Sequence, residues 1–186
     1  MTELLHFSCG TYTVSACVGA LPSMYSAFVK HAVLNEEVEI HSGDGTALFF
    51  AVKSRSRNWP ELVAALRFAP GAEAGFNPGF LLLPESHLLF VGAGTCLLAY
   101  QLSSVRRLWE DVADCGFWEW ARHGDIVLMS AELELAAWDV GGRKLWSTFV
   151  EPPWSYEIYG DRLELDVMGR KSSFVANLGP GPRPSI

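Results

Sequence analysis

Two stretches of this 186-residue chain superimpose on each other at a shift of 38 positions, and that repeat constrains the fold more than any other feature. Leu88 to Trp109 lies over Ile126 to Trp146, so that Tyr100 meets Trp138, Gln101 meets Asp139 and Leu102 meets Val140. After a one-residue deletion the pairs Leu108-Trp109 and Leu145-Trp146 also coincide. A period of this length belongs to architectures in which one supersecondary unit buries its apolar face against the next copy. Within each copy, short apolar or alternating runs are separated by Gly, Asp, Asn and Pro, which is the pattern of antiparallel strands joined by tight turns.

The strand ahead of each unit repeats as well, as Phe80-x-Leu82, Trp118-x-Trp120 and Trp154-x-Tyr156. Gly124-Asp125 and Gly160-Asp161 stand at equivalent turns, where a Gly takes positive φ without cost and an Asp bonds its own backbone. Three units follow, at about 80–109, 118–146 and 154–178, and a degenerate fourth is expected at 25–59. There Gly45-Thr46-Ala47-Leu48-Phe49 is similar to Gly94-Thr95-Cys96-Leu97-Leu98, and Trp59 stands for Trp109. Helical periodicity is confined to Met24–Val33 and to Pro60–Leu66, the latter with Asn58 as cap and Pro60 in the first turn. The expected fold is one mainly β domain over 1–178, a small or partial propeller with a β-sandwich as the alternative, followed by a flexible tail at 179–186.

The unit that ends Leu135-Ala136-Ala137-Trp138-Asp139-Val140-Gly141-Gly142-Arg143-Lys144-Leu145-Trp146 resembles the repeat of quinoprotein (PQQ)-like β-propellers, over about 80–178. The resemblance implies that the closing tryptophans, Trp109 and Trp146, pack between neighbouring blades; the third unit has no matching Trp. The quinone enzymes of that family need a closed eight-bladed ring, a calcium ion and commonly a vicinal disulfide. This chain has length for four to five blades and no adjacent cysteines, so no cofactor is expected.

Charge and composition narrow the function further. The net charge is −7, and the few basic residues are too scattered to neutralise a run of phosphates, so nucleic acid is not an expected partner. The apolar runs, such as Ala47–Val52 and Ile126–Met129, are far shorter than the roughly 20 residues of a membrane-spanning helix. The Met-Thr-Glu-Leu-Leu-His start does not read as an export signal, which gives a cytoplasmic expectation. The cysteines at 9, 17, 96 and 115 lack metal or redox spacing and are read as buried small hydrophobes. The five histidines carry no two-ligand spacing, so no metal is expected, and His87 and His123 read as turn residues. The turns Gly92-Ala93-Gly94 and Ser42-Gly43-Asp44-Gly45-Thr46 precede strands rather than helices, which removes them as phosphate loops.

Two sets of residues remain as candidate sites. Trp118, Trp120, Trp154 and Tyr156 combine large apolar area with a polar edge and make a candidate binding surface, the last two on a Pro-Pro-led segment that should lie at the surface. Glu119, Glu132, Glu134 and Asp166 are the carboxylates available for an acid–base pair, although Glu132 and Glu134 stand two apart and read as a solvated strand face. The leading expectation is therefore a non-catalytic protein-binding or scaffold module of the immunity-type or regulatory kind. Its partner would be another protein, or a second copy in a homodimer that covers open sheet edges. The alternative is a hydrolase acting on a sugar or small polar substrate through paired carboxylates.

Overall fold

The computed structural model describes residues 4–39, 45–68 and 77–181. His41, most of the Ser42–Thr46 turn and positions 182–186 of the expected tail lie outside the described residues. The chain opens with β1 (Leu5–Cys9), β2 (Tyr12–Gly19), α1 (Tyr25–His31), β3 (Leu34–Glu39), β4 (Thr46–Ser54) and β5 (Leu62–Phe68). These strands form one sheet in the order β1-β2-β4-β5-β3, antiparallel except where β3 runs parallel to β5. Three meanders follow. They are β6 (Gly79–Leu83) to β9 (Arg106–Val112) through β7 (Leu88–Ala93) and β8 (Cys96–Gln101), then β10 (Phe117–His123) to β13 (Lys144–Phe149) through β11 (Ile126–Ala131) and β12 (Glu134–Asp139), and last β14 (Trp154–Tyr159), β15 (Arg162–Val167) and β16 (Arg170–Val175).

The sheets stack face to face like propeller blades, each hiding its apolar alternation against the next. One core joins the first and second sheets through Phe50, Leu66, Leu98 and Tyr100. Another joins the second and third through Phe90, Phe117, Trp120 and Trp138, and a third joins the third and fourth through Leu128, Leu135, Leu163 and Leu165. The two ends differ. Helix α1 covers the far face of the first sheet, where Tyr25, Phe28 and Val29 pack on Phe49, Ala51 and Val63. The far face of the fourth sheet carries Ser155, Glu157, Tyr159, Arg162, Glu164 and Lys171 in register and needs no cover. A polar terminal face is how a stack of repeats ends without aggregating.

The repeat corresponds to these sheets strand for strand. β8 pairs β9 with Ala99 opposite Trp109 and a register shift after Ala99; 38 residues on, β12 pairs β13 with Ala137 opposite Trp146 and a shift after Ala137. The closing tryptophans bridge to the next sheet. The Trp109 indole Nε1–H donates to the Gly142 carbonyl at 2.6 Å and its ring stacks on Trp138 at 5.5 Å. Trp146 donates to the Ala176 carbonyl at 2.7 Å. A second interlock sits at Gly79 and Gly92, which face each other across β6 and β7. Added Cβ atoms there would stand 2.8 and 2.5 Å from the Phe117 ring of the next sheet, so the two glycines form the seat of that ring.

Several expectations are corrected. Pro60–Leu66 is not helical: Leu62–Phe68 is strand β5, nearly all buried because α1 lies on one face of its sheet and the second sheet on the other. The upstream sheet spans Leu5–Phe68 rather than 25–59, with α1 and the edge strand β3 falling between β2 and β4 in sequence. Trp59 does not play the part of Trp109; it lies between β4 and β5, 39% exposed, and stacks on His31 at 4.3 Å. Cys17 and Cys96 are buried as expected, but Cys9 and Cys115 are exposed. Gly92 and Ala93 belong to β7, and the hairpin turn is Gly94-Thr95.

Candidate functional site

A groove of about 620 Å³ lies between the third and fourth sheets, along their first strands β10 and β14. From the third sheet it takes Trp118, Glu119, His123 and Ser130, and from β14 it takes Trp154, Tyr156 and Glu157. The rings are ordered. Trp118 and Trp154 stack at 5.3 Å with planes 9° apart, Trp154 and Tyr156 lie at 6.5 Å and 21°, and His123 meets Tyr156 edge-on at 6.1 Å. The Trp154 indole donates to the Glu132 carbonyl at 3.0 Å, which fixes the middle ring while Trp118 remains 39% exposed. The Pro152–Pro153 bond that leads into β14 is cis.

A β-bulge makes this arrangement possible. In β10, Phe117 pairs with Ala131 and Glu119 with Ser130, leaving Trp118 as the extra residue. A bulge re-aims the side chains on either side of it. Phe117 and Trp120 therefore both enter the core against the second sheet, where Trp120 contacts Phe90 and Trp138. Trp118 and Glu119 turn toward the fourth sheet. Simple alternation puts Trp118 and Trp120 on one face; the structure separates them, and Trp120 is a core residue, 9% exposed.

Electrostatically the groove is acidic. Glu119 and Glu157 line it, and among the described residues no Lys or Arg does. Burial pushes the Tyr156 phenol above its ordinary range, the Glu119 carboxylate adds to this, and hydrogen bonding with Ser130 opposes it. Glu157 accepts a hydrogen bond from Tyr159. His123 Nε2 is buried without a hydrogen-bond partner.

The four expected carboxylates are dispersed. Only Glu119 lines the groove. Glu132 lies in the turn before β12, half-buried, and contributes its backbone carbonyl. Glu134 is buried rather than solvated: it accepts the Asp114 backbone N–H at 3.1 Å and stands 3.6 Å from the Lys144 ammonium, which also bonds Asp111 of β9 at 2.8 Å. Asp166 lies opposite Lys171 on the outer face of the fourth sheet. Among the described residues no three His, Cys, Asp or Glu side chains converge as a metal site.

A larger groove of about 800 Å³ runs between β13 and β16, lined by Ser147, Glu151, Arg170, Lys171 and Phe174 among others. Its charges are mixed and its aromatics are not arrayed. Sequence reasoning did not anticipate it, because it follows from the fourth sheet having three strands where its two predecessors have four.

No family model matches the sequence, and no curated protein matches it. Solved structures of similar fold include BamB from Moraxella catarrhalis, at 11% identity and a TM-score of 0.44 over 90% of this chain and 41% of that one. Another is the β-propeller domain of the Trilobed protease from Pyrococcus furiosus, at 8% identity and a TM-score of 0.47 over 89% of this chain and 48% of that one. The chain thus spans less than half the length of these propellers.

Proposed function

We propose that this chain is a non-catalytic binding module that docks a segment of another protein in the aromatic groove between its third and fourth sheets. The observation that carries the reading is the row Trp118, Trp154 and Tyr156: three aromatic side chains from two separate sheets, brought side by side with the outer one open to solvent. Trp and Tyr supply most of the binding energy where proteins meet, because they exchange much apolar area for little lost side-chain freedom. The stacked sheets supply a rigid frame, and in this reading the repeat is of the quinoprotein type put to scaffold use. Dispersed carboxylates leave the hydrolase alternative without an observation in its favour.

The test is affinity capture from native lysate with wild type, Trp118→Ala and Trp59→Ala as parallel baits. Trp118 has no hydrogen bond to the neighbouring sheet among the described contacts, so its removal should leave the fold intact. A partner retained by wild type and Trp59→Ala, and reduced at least tenfold with Trp118→Ala, is the expected result. A partner retained equally by all three, or none retained by any, would overturn the reading.

A further inference from the structure

We infer that the occupant of the groove is an extended segment bearing arginine, with a guanidinium group laid on the open face of Trp118 and paired with Glu119. The inference rests on the binding reading above and adds the chemistry of the partner. Two observations support it. The groove's fixed charges are carboxylates, and among the described residues no Lys or Arg lines it. The aromatic row is stacked, and its outer ring, Trp118, is 39% exposed, which leaves a π-face to which a cation is drawn by the ring quadrupole.

Arginine fits better than lysine. Its guanidinium is planar, stacks on aromatic faces, and sheds water more readily than an ammonium while still forking onto a carboxylate. The hydrogen bond from Trp154 to Glu132 and the edge contact of His123 with Tyr156 hold the inner rings in place, so little ordering would remain to be done on binding. The net charge of −7 over the chain works in the same direction, steering a basic segment toward the protein.

The test uses two synthetic peptides, acetyl-Gly-Arg-Gly-Arg-Gly-amide and its counterpart with citrulline at both arginines, which keeps the shape and removes the charge. Binding is read from the indole N–H resonances of the full chain in two-dimensional NMR, with cellohexaose as a third probe. The arginine peptide should shift the Trp118 and Trp154 signals, bind at least fivefold more tightly than the citrulline peptide, and lose that advantage in Glu119→Gln. Equal binding of both peptides would overturn the inference, as would shifts produced by cellohexaose and not by the arginine peptide. If no probe shifts these signals while the lysate partner still depends on Trp118, the cationic chemistry is refuted and the docking reading stands. If that dependence is also absent, both fall.

Discussion

Replacing Trp109 by Phe tests how the sheets are held to one another. The indole does two things: it donates to the Gly142 carbonyl at 2.6 Å, and it stacks on Trp138 of the next sheet at 5.5 Å. Phe keeps an aromatic ring but removes the donor and part of the overlap. Leaving a half-buried carbonyl without its partner costs about 1–3 kcal/mol. Weakening an aromatic pair costs a fraction of its roughly 0.5–1.5 kcal/mol. The sum is a loss of about 1–4 kcal/mol, which for a chain of this size lowers Tm by about 2–16 °C. The assay is urea denaturation followed by circular dichroism, with the m-value checked for constancy. Trp118→Phe is the control. It weakens a stack on the next sheet as Trp109→Phe does but removes no hydrogen bond among the described contacts, so it should cost about 0.5 kcal/mol or less. A loss below about 0.5 kcal/mol for Trp109→Phe, or equal losses for the two variants, would refute the reasoning that indole bridges lock the sheets.

Other consequences follow from the same contacts. Gly92→Ala puts a Cβ 2.5 Å from the buried Phe117 ring, which has no room to retreat; overpacking of this kind costs about 1–3 kcal/mol, and Gly92→Ala/Phe117→Leu should recover part of it in the same denaturation assay. Tyr25 is held up at about 12 from an ordinary 10.0, by burial first and then by its hydrogen bond to Glu37, and burial with the Glu36 carboxylate raises Tyr100 further still. Both phenols are raised in the folded state, so their contribution is complete below pH 10.0 and is lost as pH climbs through their folded values. Absorbance titration at the phenolate band should therefore show late-ionising tyrosines that become ordinary on unfolding; all five titrating together near 10.0 in the native protein would contradict this. Cys96, pushed up to about 12 chiefly by burial, should stay unlabelled by a thiol reagent at neutral pH while Cys9 and Cys115 react, as counted by mass spectrometry.

Much of this molecule is legible in the sequence because a repeat forces the same physical solution twice. The 38-residue shift that aligns Leu-Trp with Leu-Trp also aligns two register shifts, each set where a small Ala faces the closing Trp. The Gly-Asp turns are hairpins because Gly124 and Gly160 take φ of +59° and +62°. What stayed hidden depends on packing between distant segments. Leu62–Leu66 carries no alternation to betray a strand, because its sheet is buried on both faces, and the Asn58 and Pro60 ahead of it imitate a helix start. Of the four aromatics expected at the surface, Trp118, Trp154 and Tyr156 meet in the groove, and Trp120 does not, since a one-residue bulge reverses its face. Glu134 reads as solvated by spacing alone; only the fold brings the Asp114 backbone and the Lys144 ammonium to it.

The measurement that bears most directly on the central claim is an indole map of the partner-bound protein. For a partner recovered by capture, the seven tryptophan N–H signals would be compared with and without it. The account predicts that Trp118 and Trp154 move, while Trp109, Trp120, Trp138 and Trp146, locked between sheets, hold still. Movement confined to Trp59, or no movement at Trp118 and Trp154 under saturation, would contradict it.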